Sequence, residues 1–234
     1  MKNIKIVLLL FILAVAFIAI ANLEVETQQG INYKWKAIKI PLGLKALNFL
    51  DRHYNYKFLV KNIIRGAKTD EEKALSIFNW THANLKKDIK GLPIIDDHVW
   101  YTIVRGYGAS DQFSDVFVTL CNYSGLSAFY GIVYNKNKDS NLSLSFVKIN
   151  GKWFVFDPYS GVYFKNKANN LADIEDLKLN NYQLVTINSE TPDIAYEQYL
   201  PNLPEVVNIG FNRANIQSPF RRIIYEVRKW LKLK

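Results

Sequence analysis

Cysteine occurs once in the 234 residues, at Cys121, so no intrachain disulfide can form and no cysteine-rich metal site can be built. Histidine is nearly as scarce: His53, His82 and His98 are the only three, and none lies beyond residue 98. Imidazole acid–base chemistry from any side chain of the C-terminal half is thereby excluded. There is no internal repeat and no low-complexity block, which excludes repeat arrays. The net charge of +9 is accompanied by no nucleic-acid-binding motif, and nucleic acid is not an expected partner. That charge is also uneven. Between positions 221 and 234, Arg221, Arg222, Arg228, Lys229, Lys232 and Lys234 face only Glu226, so more than half of the excess lies in the tail. Asp96, Asp97 and His98 come nearest to a metal-ligand cluster, but three consecutive residues rarely point at one ion, and neither a metal nor another cofactor is expected.

What the chain does hold is apolar material. It is 49% hydrophobic and 14% aromatic, enough for one well-buried core. Every residue from Ile6 to Ala21 is apolar, and with Ile4 and Leu23 the run reaches about 20 residues, or roughly 30 Å of helix, which matches a bilayer core. Lys2 and Lys5 precede the run and Glu24 and Glu26 follow it, a bias that holds the N-terminus in the cytoplasm and sends the rest across. The expected form is a single-pass membrane protein with its domain outside the cytoplasm. Ala19-Ile20-Ala21 is also a small-x-small site, so the alternative is a signal peptide and a protein secreted after cleavage near Ala21. The chain then divides into residues 1–23 as anchor or signal peptide, 24–42 as a linker, 43–217 as the globular domain and 218–234 as a basic amphipathic helix.

Within the domain, 43–64 carries helical apolar spacing. Thr69 with Glu72 forms a capping box ahead of the stripe Ala74, Leu75, Phe78 and Leu85. Trp100 to Val104 is a short apolar element before Gly106 and Gly108. A second helix is expected from Ser110 to Tyr123, stopped by Gly125. Extended runs follow at 127–134, 142–149 and 152–156, the last two joined by Asn150-Gly151, a hairpin signal. An edge strand near 162–164, a short helix around 171–177 and a strand near 182–186 complete an α+β arrangement.

Gly108-Ala109-Ser110-Asp111-Gln112-Phe113, the apolar helix, Gly125-Leu126-Ser127-Ala128 and Asn150-Gly151-Lys152-Trp153 leading to Asp157-Pro158 resemble, in order and spacing, the core of the transglutaminase-like superfamily. The resemblance runs from about Thr69 to Ser160. It implies a papain-like core, a helix packed on an antiparallel sheet, here preceded by a transmembrane helix. It also implies a triad: a cysteine at the helix start, a histidine on the next strand and an aspartate one strand further. Those positions fall on Ser110, on Leu142 or an immediate neighbour, and on Asp157. Cys121 lies 11 residues past Ser110, about 16 Å along the helix, and cannot replace the nucleophile.

A serine without a base stays protonated and is a poor nucleophile, so the resemblance points to a catalytically inactive binding or scaffolding module at the cell envelope. Asp111, Gln112, Leu142 and Trp153 are its candidate groove residues, and a peptide or glycan-linked molecule its candidate partner. The competing reading is an active amidase, peptidase or acyltransferase using Ser110, Asp157 and a relocated base, His98. Each residue also has a plainer role: Ser110 as helix N-cap, Asp157 as a turn former, His98 as a surface histidine. In the tail, Phe220, Ile223, Ile224, Val227, Trp230 and Leu231 stripe one face opposite Arg221 and Arg222, suited to an acidic polymer, to a lipid surface or to packing on the domain.

Overall fold

Asn150 and Gly151 both take positive φ, 50° and 84°, and this tight turn places the two strands of the central hairpin in antiparallel register from Ile149 opposite Lys152 to Ser145 opposite Phe156. The computed structural model describes residues 2–87, 89–187, 192–204 and 206, with Ile224, Val227, Arg228 and Leu231. In chain order the elements are α1 (Lys2–Ala21), β1 (Glu24–Ile31), β2 (Lys34–Pro41), α2 (Leu42–Ile63), α3 (Asp70–Asn84), β3 (Ile95–Asp96), α4 (Val99–Arg105) and α5 (Ser110–Tyr123). Then come β4 (Ser127–Tyr134), β5 (Asn141–Ile149), β6 (Lys152–Asp157), β7 (Val162–Lys165), α6 (Ile174–Lys178) and β8 (Gln183–Thr186), followed by two short 3-10 turns at Tyr196–Gln198 and Leu200–Asn202. The molecule is α+β.

β4 to β8 form one five-stranded antiparallel sheet in sequence order. Its two faces carry separate cores. Against one face, Phe113, Val116, Phe117 and Leu120 of α5 pack with Ile77 and Phe78 of α3, Tyr56 and Val60 of α2, and Val147, Ile149 and Phe156 of the sheet. Against the other, Leu144, Phe146, Val155 and Phe164 meet Ile174, Leu177, Tyr196, Tyr199 and Leu200. α3 begins as its sequence dictates: Thr69 Oγ1 accepts from the Glu72 amide at 3.1 Å, and the Glu72 carboxylate accepts from the Thr69 amide at 3.2 Å.

Two expectations change. β7 is not an edge, because β8 pairs with it from Val162 opposite Thr186 to Lys165 opposite Gln183. Residues 24–41, expected as a linker, are a hairpin turned at Asn32 and Tyr33, with φ of 50° and 62°. A tyrosine at positive φ is costly, which is why the sequence hides this turn. Tertiary bonds hold it: Asn32 exchanges bonds with Ile94, its amide donating to the Ile94 carbonyl at 2.7 Å and its Oδ1 accepting from the Ile94 amide at 2.9 Å. The Tyr33 amide also donates to Asp96 Oδ2 at 2.7 Å.

α1 is long and apolar enough to cross a membrane from Ile4 to Ala21, and none of that span is covered by the rest of the chain. Its end lies against the start of α2: the Leu42 amide donates to the Leu23 carbonyl at 2.8 Å, and a Cβ on Gly43 would come within 3.1 Å of the Ala21 carbonyl.

Candidate functional site

The start of α5 is built by Gln112. Its Oε1 accepts from the Ala109 amide at 3.2 Å while its Nε2 donates to the Ile95 carbonyl at 2.7 Å, tying the helix start to β3. Gly108 makes room for this side chain, since a Cβ there would sit 2.7 Å from the Gln112 Oε1. Ala109 therefore occupies the cap position and Ser110 the first helical position, not the N-cap expected of a serine. One turn on, Ser114 Oγ donates to the Ser143 carbonyl at 3.1 Å, which fixes that face of α5 against the start of β5. Ser110 lies four residues before Ser114 on the same face, half-buried, at the positive end of the helix dipole.

The strand opposite turns no ionisable group toward α5. Alternation puts Ser143, Ser145, Val147 and Ile149 of β5 toward α5, whereas Leu142, Leu144 and Phe146 join the core on the other face. Leu142, counted as the histidine position, thus faces away from the helix. The hydroxyls of Ser143 and Ser145 are buried and make no hydrogen bond among the described residues.

Asp157 is buried at the end of β6. One carboxylate oxygen accepts from the Tyr196 hydroxyl at 2.7 Å and the other from the Ser160 amide at 3.0 Å. Burial raises its pKa above the usual carboxylate range, against the pull of the Ser160 amide and the Tyr196 hydroxyl. Tyr196, a partner 39 residues away, carries no signal in the sequence.

The three histidines go to three places. His53 Nδ1 lies 3.0 Å from the Tyr123 hydroxyl, at the far end of α5. His98 precedes α4 and lines a cavity of about 370 Å³ with β1, β2 and α2, a cavity that Ser110 does not line. His82 of α3 donates from Nδ1 to the Pro158 carbonyl at 3.1 Å and lies against Gly161, where a Cβ would meet its ring at 2.7 Å. The fold therefore brings His82, which no local motif marks, to the turn that follows Asp157. Tyr159 in that turn stands edge-on to Phe113 of α5 at 5.1 Å.

The candidate binding residues separate as well. Asp111 and Gln112 line a 140 Å³ recess with Asp96, Asp97, Asp115, Tyr33, Trp35 and Tyr130. Trp153 lines a different depression, of about 520 Å³, beside Asp173 and α6, and its ring stands edge-on to Phe129 at 5.3 Å. Leu142 packs beneath the surface on that same side. Cys121 is fully buried, and burial pushes its thiol pKa well up, so it stays a protonated core side chain. No grouping of three or more His, Cys, Asp or Glu among the described residues is placed to hold a metal ion. Phe220, Arg221, Arg222 and Trp230 lie outside the described residues.

Residues 57–158 match the family model of the Transglutaminase-like superfamily. No curated protein matches the chain. Three solved structures are similar to it: a candidate cysteine protease from Cytophaga hutchinsonii, at 17% identity and TM-score 0.40; a candidate protease from Parabacteroides distasonis ATCC 8503, at 13% and 0.35; and a TGase, at 12% and 0.36. Each similarity covers 57% of this chain, which spans less than half of theirs, at 42%, 35% and 43%. The helix, the antiparallel sheet it packs on and the matched residues agree: this chain carries a transglutaminase-like domain across positions 57–158.

Proposed function

We propose that this is a membrane-tethered transglutaminase-like domain that does not turn over amides and serves as a binding or scaffolding module at the cell envelope. The observation that carries the reading is the fate of Asp157. An aspartate that orients a catalytic base holds that base by a hydrogen bond, and among the described residues the side-chain and amide bonds to this carboxylate come from Tyr196 and Ser160, with none from an imidazole. Serines, and no imidazole, face α5 from β5. Ser110 at a helix N-terminus has a favourable field for an anion, but among the described residues no hydrogen-bond partner takes its proton.

The second reading is an active amidase, peptidase or acyltransferase through Ser110. Its base would be His82 rather than His98, because His82 is the histidine placed against the turn after Asp157. One assay separates the two. Full-length chain in detergent, incubated with amide, ester and peptide substrates, is expected to give no turnover above buffer, and Ser110→Ala no change. Hydrolysis abolished by both Ser110→Ala and His82→Ala would establish the enzyme.

In the same proposal α1 is an uncleaved anchor with the domain on the non-cytoplasmic side, which the flanking Lys2 and Lys5 support. The full chain should resist carbonate extraction, and deletion of residues 2–23 should move it to the soluble fraction. Protease added outside intact cells should digest the domain. A soluble product starting near residue 22 would identify a cleaved signal peptide instead.

A further inference from the structure

Arg52 is only 5% exposed, yet its guanidinium makes no hydrogen bond and no ion pair among the described residues, and its Nε is fully enclosed. An isolated buried charge is costly, and a buried arginine is ordinarily matched by a carboxylate or phosphate. No carboxylate bonds this one directly, although the buried Asp115 acts on the same Tyr56 hydroxyl as Arg52 does. Asp97, the carboxylate that shares its cavity, is held by Arg105 at 3.1 Å, and no ion pair connects Arg52 to any acid of the described chain.

Arg52 lines the 370 Å³ cavity enclosed by Gln28 and Gln29 of β1, Ile38 and Ile40 of β2, one face of α2, and Tyr101 of α4. Lys45, Asn48 and Arg52 lie at spacings of three and four along α2 and so share one face. His98 approaches from the opposite wall. Lys45 donates to the Glu26 carbonyl at 2.6 Å, a neutral acceptor that leaves its charge uncompensated. The cavity thus holds two cations that make no ion pair among the described residues, one carboxylate, Asp97, already engaged by Arg105, amide and imidazole donors, and an apolar wall, in a volume that falls within the small-molecule range of roughly 300–1,000 Å³.

We propose that this cavity is a binding site for a phosphate-bearing group, with Arg52 as the anchoring fork, Lys45 as the second cation and Asn48 and His98 as donors. Two positive charges fit a phosphate better than a carboxylate, and a planar guanidinium binds either oxyanion through paired N–H donors. The apolar wall of Ile38, Ile40 and Tyr101 receives the organic body that carries the phosphate. Two sources offer this chemistry. α2 begins at the end of α1, so Lys45 lies about 5 Å and Arg52 about 15 Å along α2 from that junction, within range of a phospholipid headgroup if α1 spans the bilayer. A soluble phosphorylated metabolite is the other. The site is independent of whether Ser110 is catalytic.

The test uses the full chain in detergent with inorganic phosphate and glycerol 3-phosphate, and in nanodiscs with and without phosphatidylglycerol. In detergent, glycerol 3-phosphate should raise Tm, and Arg52→Met should abolish that rise while leaving Tm in phosphate-free buffer unchanged or higher, since it removes an unmatched buried charge. A structural arginine would instead lower it. Lys45→Gln, which removes one half-buried cation, should weaken binding by roughly 3- to 10-fold, up to about 1.4 kcal/mol. A response to glycerol 3-phosphate in detergent with no phosphatidylglycerol retained from nanodiscs assigns a soluble ligand. Phosphatidylglycerol retained from nanodiscs by the original chain but not by Arg52→Met assigns a lipid. No response to any probe, or an equal response in Arg52→Met, overturns the proposal.

Discussion

Phe117→Ala should lower the unfolding free energy by about 3–5 kcal/mol, a third or more of what a domain of this size typically has. Phe117 is completely buried at the crossing of helix and sheet, with its ring 5.9 Å from Phe78 of α3 and 5.2 Å from Phe156 of β6. Truncation removes the aromatic contacts of three elements at once, and neither a helix nor a paired strand can collapse freely into the void. Urea denaturation of the full chain in detergent measures it through a lower midpoint at unchanged slope. A loss below about 1 kcal/mol would mean that α5 does not pack on β6 as described.

Asp157→Ala should cost about 2–4 kcal/mol, because it leaves the buried Tyr196 hydroxyl and the Ser160 amide without their acceptor. Asp157→Asn isolates the charge. Burial raises the folded-state pKa of Asp157, with the Ser160 and Tyr196 bonds opposing it. A raised folded-state value means that the contribution is fully present below the unfolded value, about 4, and is lost as pH rises through the folded one. The stability of the original chain relative to Asp157→Asn should therefore fall between acidic and neutral pH, and taking this difference cancels the titration of the other groups. A difference that grows with pH would show instead that Tyr196 and Ser160 outweigh burial.

Much of the scaffold was legible in the residues. The Thr69 capping box, the stripe of α5 and the Asn150-Gly151 turn are short-range features whose physics involves neighbours within a few positions. The same locality explains the failures. The turn at Asn32 and Tyr33 holds only because Ile94 and Asp96, more than 60 residues on, bond to it. The family resemblance placed the histidine position at Leu142 or an immediate neighbour without deciding which face it takes, and one residue of parity separates the core beneath α6 from the seam against α5. Serine caps well, and Ser110 was expected as the cap, yet Ala109 holds that position with its amide bonded to Gln112 Oε1, and Ser110 begins the helix.

By itself the sequence determined the apolar span at the N-terminus, the α+β order of elements and the lack of imidazole beyond residue 98, since composition and periodicity are properties of the chain as written. Only the tertiary structure decided that Tyr196 and Ser160 hold Asp157, that His82 rather than His98 reaches its turn, and that Arg52 is buried without an ion pair among the described residues. Each of those is a meeting of side chains 39 or more residues apart, or a failure of such a meeting, apart from the turn bond to Ser160. Burial and pairing at that range are set by how the layers close, which no local pattern encodes.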